Sequence, residues 1–242
     1  MKKVSVVLPA LNEEEAIGKV IDEIPVEELE SKGYQTEIIV VNNGSTDKTA
    51  EIAAAQGAIV IDEPNRGKGR AIRTGFGAVS GDFVFMLDSD FTYPAGYITQ
   101  MVELLEGGYD VVIGSRLNGS VEQGAIKRFN LIGNHLLAFL ANMLYGTRVS
   151  DLCTGFWGFK VDVLRSLNLD AVGFELEANM LIEVAKHKYR VGEVPIQYRR
   201  RATISKLGSI RAGWRIGWKL IASRFAQNIG RSECSDKNIR IK

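Results

Sequence analysis

The chain has 242 residues, of which 45% are hydrophobic and 24% are charged, and its formal net charge is +1. This length suits one α/β domain with a small appendage and allows a sizeable core, and the balanced charge gives no support for a nucleic-acid partner. The charge is nevertheless uneven, because residues 199–224 contain eight Lys or Arg and no acidic residue. This asymmetry indicates an anionic partner or surface near the C-terminus.

The cysteines and the apolar segments indicate where in the cell the protein is expected. Cys153 and Cys234 lie far apart and match no zinc-ligand spacing, so neither a structural disulfide nor a zinc site is expected. The N-terminal apolar run is too short for a signal peptide, and no stretch reaches the ~18 apolar residues of a transmembrane helix. We therefore expect a cytoplasmic protein with peripheral contact at the cytoplasmic face of the cell membrane.

Short apolar runs alternate with helical patterns in the first half of the chain. The runs are nearly continuous, as strands covered on both faces should be, and they lie at Val4–Leu8, Glu37–Val41, Ala58–Ile61, Phe83–Leu87 and Val111–Ile113. The segments between them carry apolar residues at helical spacing. This alternation predicts βαβ units and a mostly parallel sheet flanked by helices.

The pattern becomes looser after about residue 115. Residues 125–147 have the pattern of an amphipathic helix, and 156–164 return to the sheet. Residues 175–188 are predicted to form a further helix, 189–198 a strand, and 209–225 a final helix. No repeat, linker or low-complexity segment separates these elements, so one domain is expected to hold them.

Polar motifs follow four of the predicted strands. They read "PALNEEE" after the first strand, "NNGSTD" after the second, "DEPNRGKG" after the third and "DSD" after the fourth. Because ligands bind beyond the carboxyl ends of the strands in such sheets, the four motifs are expected to converge on one crevice.

Asp88 and Asp90 end the fourth predicted strand with two carboxylates one residue apart. In an extended segment residues i and i+2 point to the same side, so both carboxylates can face one point. Like charges held this close repel each other unless a cation or hydrogen-bond donors lie between them. Taken alone, the motif fits a metal site and a solvated turn equally well.

The glycines of residues 67–69 form no established nucleotide motif. There is no G-x-G-x-x-G after the first strand and no Walker A loop. The N-terminus of the following predicted helix, together with Arg66 and Lys68, would still suit a phosphate group. The alternative is a flexible loop that carries solvated cations.

Eight sequence blocks occur in one order over residues 4–207: "VSVVLPALNEEEAI", "EIIVVNNGSTDKTAEIA", "NRGKGRAIRTGF", "FMLDSD", "VVIGSR", "SDLCTGFWGFK", "GFELEANML" and "EVPIQYRRR…SKL". On these blocks the chain resembles family 2 glycosyltransferases, which have the GT-A-type fold with a mostly parallel, Rossmann-like sheet. It is most similar to the dolichol-phosphate mannosyltransferase-like branch, which loads a sugar onto a polyprenyl phosphate.

The resemblance implies an inverting, metal-dependent hexosyl transfer to a dolichyl or polyprenyl phosphate. The donor would be a nucleotide-diphospho-sugar of the GDP-mannose, UDP-glucose or UDP-GlcNAc type, and the cofactor Mg²⁺ or Mn²⁺. A lipid-phosphate acceptor is largely dianionic at neutral pH, since the second pKa of a phosphate monoester is about 6, so a catalytic base is not required.

The resemblance also assigns roles to individual residues. The residues implied in donor binding are Pro9, Ala10, Asn12, Glu13, Asn42, Asn43, Lys68, Ser89 and Arg116. Those implied in binding the acceptor phosphate are Arg128, Arg201, Ser205 and Lys206. The implied catalytic residues are Asp88, Asp90, Asp151 and Glu177, of which Asp88 and Asp90 would hold the metal.

The chain departs from the family pattern at two places. Asn42 and Asn43 stand where the family usually has two aspartates that read the base, so the identity of the base stays open. Phe91 and Thr92 replace the usual Gln-His after the aspartate motif, which limits the roles that can be carried over to that segment.

Several implied residues have a simpler interpretation. Asp151 could cap a turn, and Glu177 could be a solvated helix residue. His135 is more in keeping with a packed or interfacial histidine than with a catalyst, and Ser45 with a turn or helix cap than with a nucleophile.

The C-terminal segment carries an aromatic stripe beside a basic one. Trp214, Trp218, Ile221 and Phe225 share one helical face, and Arg211, Arg215 and Lys219 repeat every four residues beside it. Interfacial Trp and a basic face are typical of a helix that lies on an anionic membrane, and the alternatives are a helix that covers the domain core or a dimer interface.

Three segments follow from these patterns. We expect a catalytic domain over residues 1–208, an amphipathic helix over 209–230 and a weakly ordered tail over 231–242. A homo-oligomer is compatible with the sequence. Two other functions stay open: transfer by the same fold to a soluble hydroxyl acceptor, and a non-catalytic module that binds nucleotide sugar or membrane.

Overall fold

A seven-stranded sheet organises the protein, whose computed structural model describes residues 1–201 and 212–225. The strands are β1 Lys2–Ala10, β2 Tyr34–Asn42, β3 Ile59–Asp62, β4 Phe83–Leu87, β5 Val111–Val121, β6 Phe156–Lys160 and β7 Val191–Tyr198. Their order in the sheet is β3-β2-β1-β4-β6-β5-β7. Only β6 runs antiparallel to its neighbours, β4 and β5, so the prediction of a mostly parallel sheet is confirmed.

Helices cover both faces of this sheet. They are α1 Ile17–Asp22, α2 Val26–Ser31, α3 Thr49–Ala55, α4 Lys68–Ala78, α5 Ile98–Glu106, α6 Arg128–Tyr145, α7 Val161–Ser166, α8 Leu176–Lys186 and α9 over residues 212–225. A single 3₁₀ turn at Ala95–Tyr97 precedes α5. The predicted helix after β1 begins at Ile17 and not at Glu13, because the backbone of Glu13 is engaged in the loop after β1.

Two hydrophobic cores lie on the opposite faces of the sheet. In β1, Val4, Val6 and Leu8 belong to one core, and Val7 belongs to the other. Neighbouring residues of a strand point to opposite faces, so a strand covered on both sides must be apolar throughout. This is the physical reason for the continuous apolar runs, since each large apolar side chain that is fully buried contributes roughly 1.5–3 kcal/mol.

Glu37 ties β1 and β2 to the turn that precedes β4. Its carboxylate accepts hydrogen bonds from the Ser5 hydroxyl and from the backbone N–H and hydroxyl of Ser80, and it pairs with Lys3 at 2.6 Å. Burial on its own would raise the pKa of Glu37, but these donors outweigh burial and lower the pKa to about 2.

Replacing Glu37 by Gln should therefore destabilise the fold in a pH-dependent way. Because the folded pKa lies below the ordinary value of 4.5, the ionised carboxylate stabilises the fold above that pH and ceases to do so as the pH falls towards about 2. We expect Glu37→Gln to lose about 2 kcal/mol of unfolding free energy at neutral pH and to approach the wild type in strong acid. Urea denaturation across this range measures the difference, and a constant difference would contradict the assignment.

Helices α6 and α9 pack together at one side of the molecule. Ile216 and Leu220 of α9 are buried in a core, and the hydroxyl of Tyr145 in α6 donates a hydrogen bond to the backbone oxygen of Leu220 at 2.7 Å. Two ion pairs hold the other side of α9, Arg215–Glu175 at 3.0 Å and Lys219–Asp170 at 2.7 Å. Helix α9 thus covers part of the core, as one of the alternatives proposed.

The same two helices carry a set of exposed apolar side chains, which we call the apolar face. Each member is between 61% and 72% exposed: Phe129, Ile132, Leu136, Phe139, Met143, Trp214, Trp218 and Phe225. The rings of Trp214 and Trp218 stack with centroids 6.4 Å apart. In the described part of the chain, no helix has the length and hydropathy needed to cross a bilayer.

Candidate active site

The candidate site is a cleft of about 310 Å³ beside the carboxyl ends of β1 and β4. It is lined by Pro9, Ala10, Leu11, Glu13, Asn43, Gly67, Lys68, Ala71, Asp88, Ser89, Asp90, Phe174 and Arg201. All four strand-end motifs contribute to this lining, as expected from the strand order. Asp88, Lys68, Asp90 and Arg201 are joined there by ion pairs into a cluster that we call the charged end, and the lining also includes apolar groups and the amide of Asn43.

The two aspartates of the motif after β4 face cations that come from other elements. Asp88 Oδ1 lies 2.7 Å from the Nζ of Lys68, the first residue of α4, and Asp90 Oδ2 lies 3.2 Å from Nη1 of Arg201. Asp90 Oδ1 also accepts a hydrogen bond from the backbone N–H of Thr92 at 3.2 Å. The repulsion between the clustered carboxylates is thus offset by charges far away in the sequence.

Lys68 bridges Asp88 to a second buried carboxylate. Its Nζ lies 2.8 Å from Oε1 of Glu177, which is 4% exposed at the start of α8, so Glu177 is not the solvated helix residue of the simpler interpretation. Burial raises the pKa of both Asp88 and Glu177, and the Lys68 ammonium opposes that rise. Glu177 Oε2 is also buried and has no hydrogen-bond partner within the described part of the chain.

The N-terminus of α4 is covered by the chain before α8. The backbone N–H of Gly69 donates a hydrogen bond to the backbone oxygen of Val172 at 3.1 Å. Phe174 follows in the same segment, and its ring lies 5.8 Å from Lys68 Nζ. The Val172 carbonyl thus occupies the N–H of Gly69 while Lys68 reaches the cleft by its side chain, and a phosphate at this helix end stays a prediction.

Asn42 and Asn43 occupy different surroundings. Asn42 donates to Asp62 Oδ1 at 2.7 Å, accepts from the backbone N–H of Ser45 at 3.0 Å, and does not line the cleft. Its amide is engaged at the ends of β2 and β3, and a contact of Asn42 with the donor stays a prediction.

Asn43 lines the cleft with an amide of fixed orientation. Its Nδ2 donates to the backbone oxygens of Glu63 and Asn65 at 3.0 and 2.9 Å, and its Oδ1 accepts from the backbone N–H of Gly67 at 2.8 Å. Rotating the amide by 180° would set its oxygen against two carbonyl oxygens, so this orientation is determined by the loop. An aspartate at position 43 would place a carboxylate oxygen against the same two carbonyl oxygens.

Asp151 and Arg116 form a buried pair behind the cleft. Asp151 is completely buried and accepts hydrogen bonds from the backbone N–H, Nε and Nη2 of Arg116 at 3.1, 2.7 and 2.7 Å. The guanidinium also lies 6.0 and 5.3 Å from the rings of Tyr93 and Tyr198. Each side chain is thus engaged by the other and neither lines the cleft, and a catalytic role for Asp151 and a donor-binding role for Arg116 stay predictions.

The remaining predicted residues fall into three groups. Asn12 lies beside the cleft and does not line it, since its Oδ1 accepts from the backbone N–H of Thr46 at 2.8 Å. Arg128 is exposed at the start of α6 and does not line the cleft. Ser205 and Lys206 lie outside the described residues. His135 is exposed on α6 and is therefore not a packed histidine.

The residues of the cleft fit a divalent cation that is bound together with a diphosphate. The described part of the chain contains no cluster of three or more His, Cys, Asp or Glu side chains that could hold a metal by themselves. Two carboxylates plus phosphate oxygens form the hard-oxygen donor set that Mg²⁺ uses at phosphate sites, and it suits Mn²⁺ as well. Asp88 and Asp90 would supply the protein's share of that set.

Curated relatives are similar to most of this chain. The low-salt glycan biosynthesis hexosyltransferase Agl6 of Haloferax volcanii is 35% identical over 87% of the chain, which spans 51% of that protein. The dolichyl-phosphate hexose transferase of the same organism is 36% identical over 90% of the chain and 92% of its own length.

Solved structures confirm the GT-A-type fold and the family. Glucosyl-3-phosphoglycerate synthase from Mycobacterium tuberculosis, in complex with Mn²⁺, UDP and glucosyl-3-phosphoglycerate, has a TM-score of 0.72 and 29% identity, covering 92% of this chain and 80% of that one. The family model described as Glycosyl transferase family 2 matches residues 5–167. The chain therefore belongs to glycosyl transferase family 2.

Proposed function

We propose that this protein transfers a hexose, with inversion, from a nucleotide-diphospho-sugar to a dolichyl or other polyprenyl phosphate. The observation that carries the proposal is the cleft, which gathers Asp88, Asp90, Lys68 and Arg201 and is otherwise lined mainly by apolar groups and the Asn43 amide. A nucleotide sugar likewise joins a charged diphosphate to an uncharged base. The dolichyl-phosphate hexose transferase of Haloferax volcanii, similar over nearly its whole length, supports the acceptor class.

The charged end of the cleft suits the donor diphosphate. Asp88 and Asp90 would hold a Mg²⁺ or Mn²⁺ ion, which when bound offsets the charge that develops on the leaving diphosphate. Lys68 and Arg201 add two cations at the same end, where preorganised charge stabilises the leaving group without reorganisation. The relative solved with Mn²⁺ and UDP supports this placement.

Asn43 would accept a hydrogen bond from the base of the donor. Both of its N–H groups are engaged by the loop, so the remaining hydrogen-bonding capacity is a lone pair on Oδ1. A base read at this position must therefore offer an N–H. Uracil and guanine offer a ring N–H, whereas cytosine and adenine offer an exocyclic amino N–H beside an unprotonated ring nitrogen.

The transfer itself requires alignment more than proton removal. An oxygen of the acceptor phosphate forms a bond to the anomeric carbon while the bond from that carbon to the diphosphate oxygen breaks, which releases a nucleoside diphosphate. Since the acceptor is largely dianionic near neutral pH, the engagement of Asp151 by Arg116 does not hinder the reaction. Glu177, buried against Lys68, would keep that cation directed towards Asp88.

The apolar face of α6 and α9 would bring the enzyme to its lipid acceptor. Neither helix contains an acidic residue, and Arg128 and Arg224 supply positive charge, whereas Arg215 and Lys219 are paired with Glu175 and Asp170. Each cation near an anionic leaflet contributes about 1 kcal/mol, and inserted aromatic side chains add to it. We propose peripheral attachment to an anionic membrane, at the cytoplasmic face expected from the sequence.

Changing Trp214 and Trp218 to Ser should weaken membrane binding without unfolding the protein. Their side chains are 72% and 61% exposed, so the core loses little, while about 3 kcal/mol of interfacial burial disappears. We expect at least a tenfold weaker association with anionic liposomes in sedimentation assays, slower transfer to long polyprenyl phosphates, and unchanged transfer to a short, water-soluble acceptor.

A matched control and a competing result make this test decisive. Ile59→Ser removes an exposed apolar side chain (52% exposed) from β3, outside the apolar face, and should leave liposome binding unchanged. If the Trp variant instead dissociates a homo-oligomer while liposome binding stays at the wild-type level, the apolar face is an interface between copies and the membrane role is wrong.

A donor and acceptor panel tests the function directly. Purified protein is incubated with radiolabelled nucleotide sugars, Mn²⁺ and a short polyprenyl phosphate, with free UDP, GDP, CDP and ADP as competitors. We expect labelled lipid, and stronger inhibition by UDP or GDP than by CDP or ADP. Binding of nucleotide sugar without transfer to any acceptor would favour the non-catalytic module.

A soluble, phosphorylated acceptor is the second candidate. It is favoured by the similarity to the synthase solved with glucosyl-3-phosphoglycerate. The same panel separates the two candidates, because label that is transferred to phosphoglycerate and not to lipid would replace the lipid acceptor with a hydroxyl acceptor.

A further inference from the structure

Gly155 and Asp88 lie opposite each other, just before β6 and just after β4. Strands β4 and β6 pair antiparallel, with Phe83 opposite Lys160 and Leu87 opposite Phe156. Continuing this register by one residue sets Gly155 against Asp88. Opposite residues of an antiparallel pair project from the same face, so a side chain at position 155 would project beside the Asp88 carboxylate.

The space beside that carboxylate is too small for any side chain. A Cβ placed on Gly155 would lie 2.6 Å from Cγ and 2.9 Å from Oδ1 of Asp88, closer than such atoms approach in proteins. Gly155 does not have a positive φ, so its backbone conformation would accept other residues. Glycine is needed at this position for room and not for conformation.

The backbone of Gly155 is itself held in place. Its N–H donates a hydrogen bond to the hydroxyl oxygen of Tyr93 at 2.7 Å. Tyr93 is 1% exposed, and its ring contacts Phe156 and Tyr198 edge to face, with centroids 6.3 and 5.0 Å away. Packed side chains of this kind leave little freedom, so Tyr93 fixes how closely the β6 backbone approaches Asp88.

We propose that Gly155 is a positioning residue for Asp88, with Tyr93 as its support. The bare backbone of Gly155 lets the Asp88 carboxylate stand where Oδ1 meets Lys68 at 2.7 Å, while room is left beside it for a cation and the donor diphosphate. This inference rests on the proposed function, because it concerns the same donor site, and it assigns a role to two residues outside the aspartate motif.

The test is the affinity for Mn²⁺ in Gly155→Ala, measured by electron paramagnetic resonance titration in the presence of UDP or GDP. The added methyl group should make the Asp88 side chain rotate, which its short length and partial exposure allow without unfolding. We expect about 10- to 100-fold weaker binding of Mn²⁺, as for other losses of support around a metal ligand, with a nearly unchanged melting temperature.

Gly158→Ala is the matched control. It also adds one methyl group, but three residues further along the chain, inside β6 and away from the site. Gly158 lies opposite Phe85, and its added Cβ would come within 2.8 Å of Cδ1 of that buried ring. This variant should lower the melting temperature and keep the Mn²⁺ affinity of the folded protein. Parallel losses of affinity and stability in both variants would overturn the proposal by making Gly155 a purely structural residue.

Tyr93→Phe provides a second, milder variant. Removing the hydroxyl frees the Gly155 N–H and should weaken Mn²⁺ binding several-fold. If Gly155→Ala fails to fold, the Mn²⁺ affinity of Tyr93→Phe tests the positioning role in its place. The positioning role would be wrong if a folded Gly155→Ala bound Mn²⁺ with wild-type affinity. It would also be wrong if Gly155→Ala failed to fold and Tyr93→Phe bound Mn²⁺ with wild-type affinity; neither result would affect the proposed function. A wild-type protein that binds no Mn²⁺ with either nucleotide would overturn the proposed function and this role together.

Discussion

Replacing Asp90 by Asn should lower the transfer rate by about 10²- to 10³-fold while leaving the fold intact. Asp90 follows β4 by three residues, is partly exposed in the cleft, and pairs with Arg201 at 3.2 Å. The amide keeps the shape but loses the charge that a hard cation prefers in its ligands. The loss should therefore be largest at low metal concentration and decrease as Mn²⁺ is raised.

The measurement is a metal titration of the initial rate for the variant and for one control. Asp62→Asn changes another carboxylate at a strand end, one that is exposed at the end of β3 and does not line the cleft. Because an amide oxygen can still accept from Asn42, we expect this control to keep the wild-type rate and metal dependence. Full activity of Asp90→Asn in the presence of a chelator would show that Asp90 holds no metal.

The sequence could predict that the polar motifs after the strands meet in one cleft, because the fold brings those strand ends together. Continuous apolar runs identify strands that are buried on both faces, and parallel strands bring their carboxyl ends to one edge. Pro9, Asn43, Lys68 and Asp88 come together for this reason. Local sequence, in other words, was sufficient wherever a motif immediately follows a strand.

The sequence could not predict contacts in which a side chain's partner lies far away in the chain. Asp151 and Arg116 are both charged and follow recognisable motifs, yet they pair with each other in a buried setting, which no local pattern reveals. Asn43 likewise has its amide oriented by the carbonyls of Glu63 and Asn65. The choice of partners depends on three-dimensional packing, which motif spacing alone does not give.

Two site features were missed by sequence reasoning for different reasons. Phe174 lines the cleft from the segment before α8, where nothing in the local pattern distinguishes it from a core aromatic. Gly155 could have been found from the sequence, because "TGFWGF" contains two glycines among the aromatic residues at the start of a strand. Glycine inside such a strand indicates the close approach of another group, here Asp88 and Phe85.

Replacing Lys68 by Met should be the most damaging single change in the protein. The Lys68 ammonium lies 2.7 Å from Asp88 and 2.8 Å from Glu177, and without it two carboxylates with little exposure face each other unpaired. Removing one partner of a buried ion pair destabilises proteins by about 3–5 kcal/mol, because the charge left behind stays desolvated. Transfer activity should disappear as well, since the charged end of the cleft loses a cation.

A double variant separates the two effects of this change. Adding Glu177→Gln to Lys68→Met removes the buried charge that Lys68 had neutralised, so the unfolding free energy should recover by about 2 kcal/mol or more. Activity should not recover with it, because the diphosphate still lacks its cation. Urea denaturation and initial rates, each measured for the four members of the cycle, supply both quantities. Equal stability of Lys68→Met and the wild type would mean that Asp88 and Glu177 do not depend on Lys68 for charge compensation. Recovery of activity along with stability would instead assign Lys68 to the fold alone.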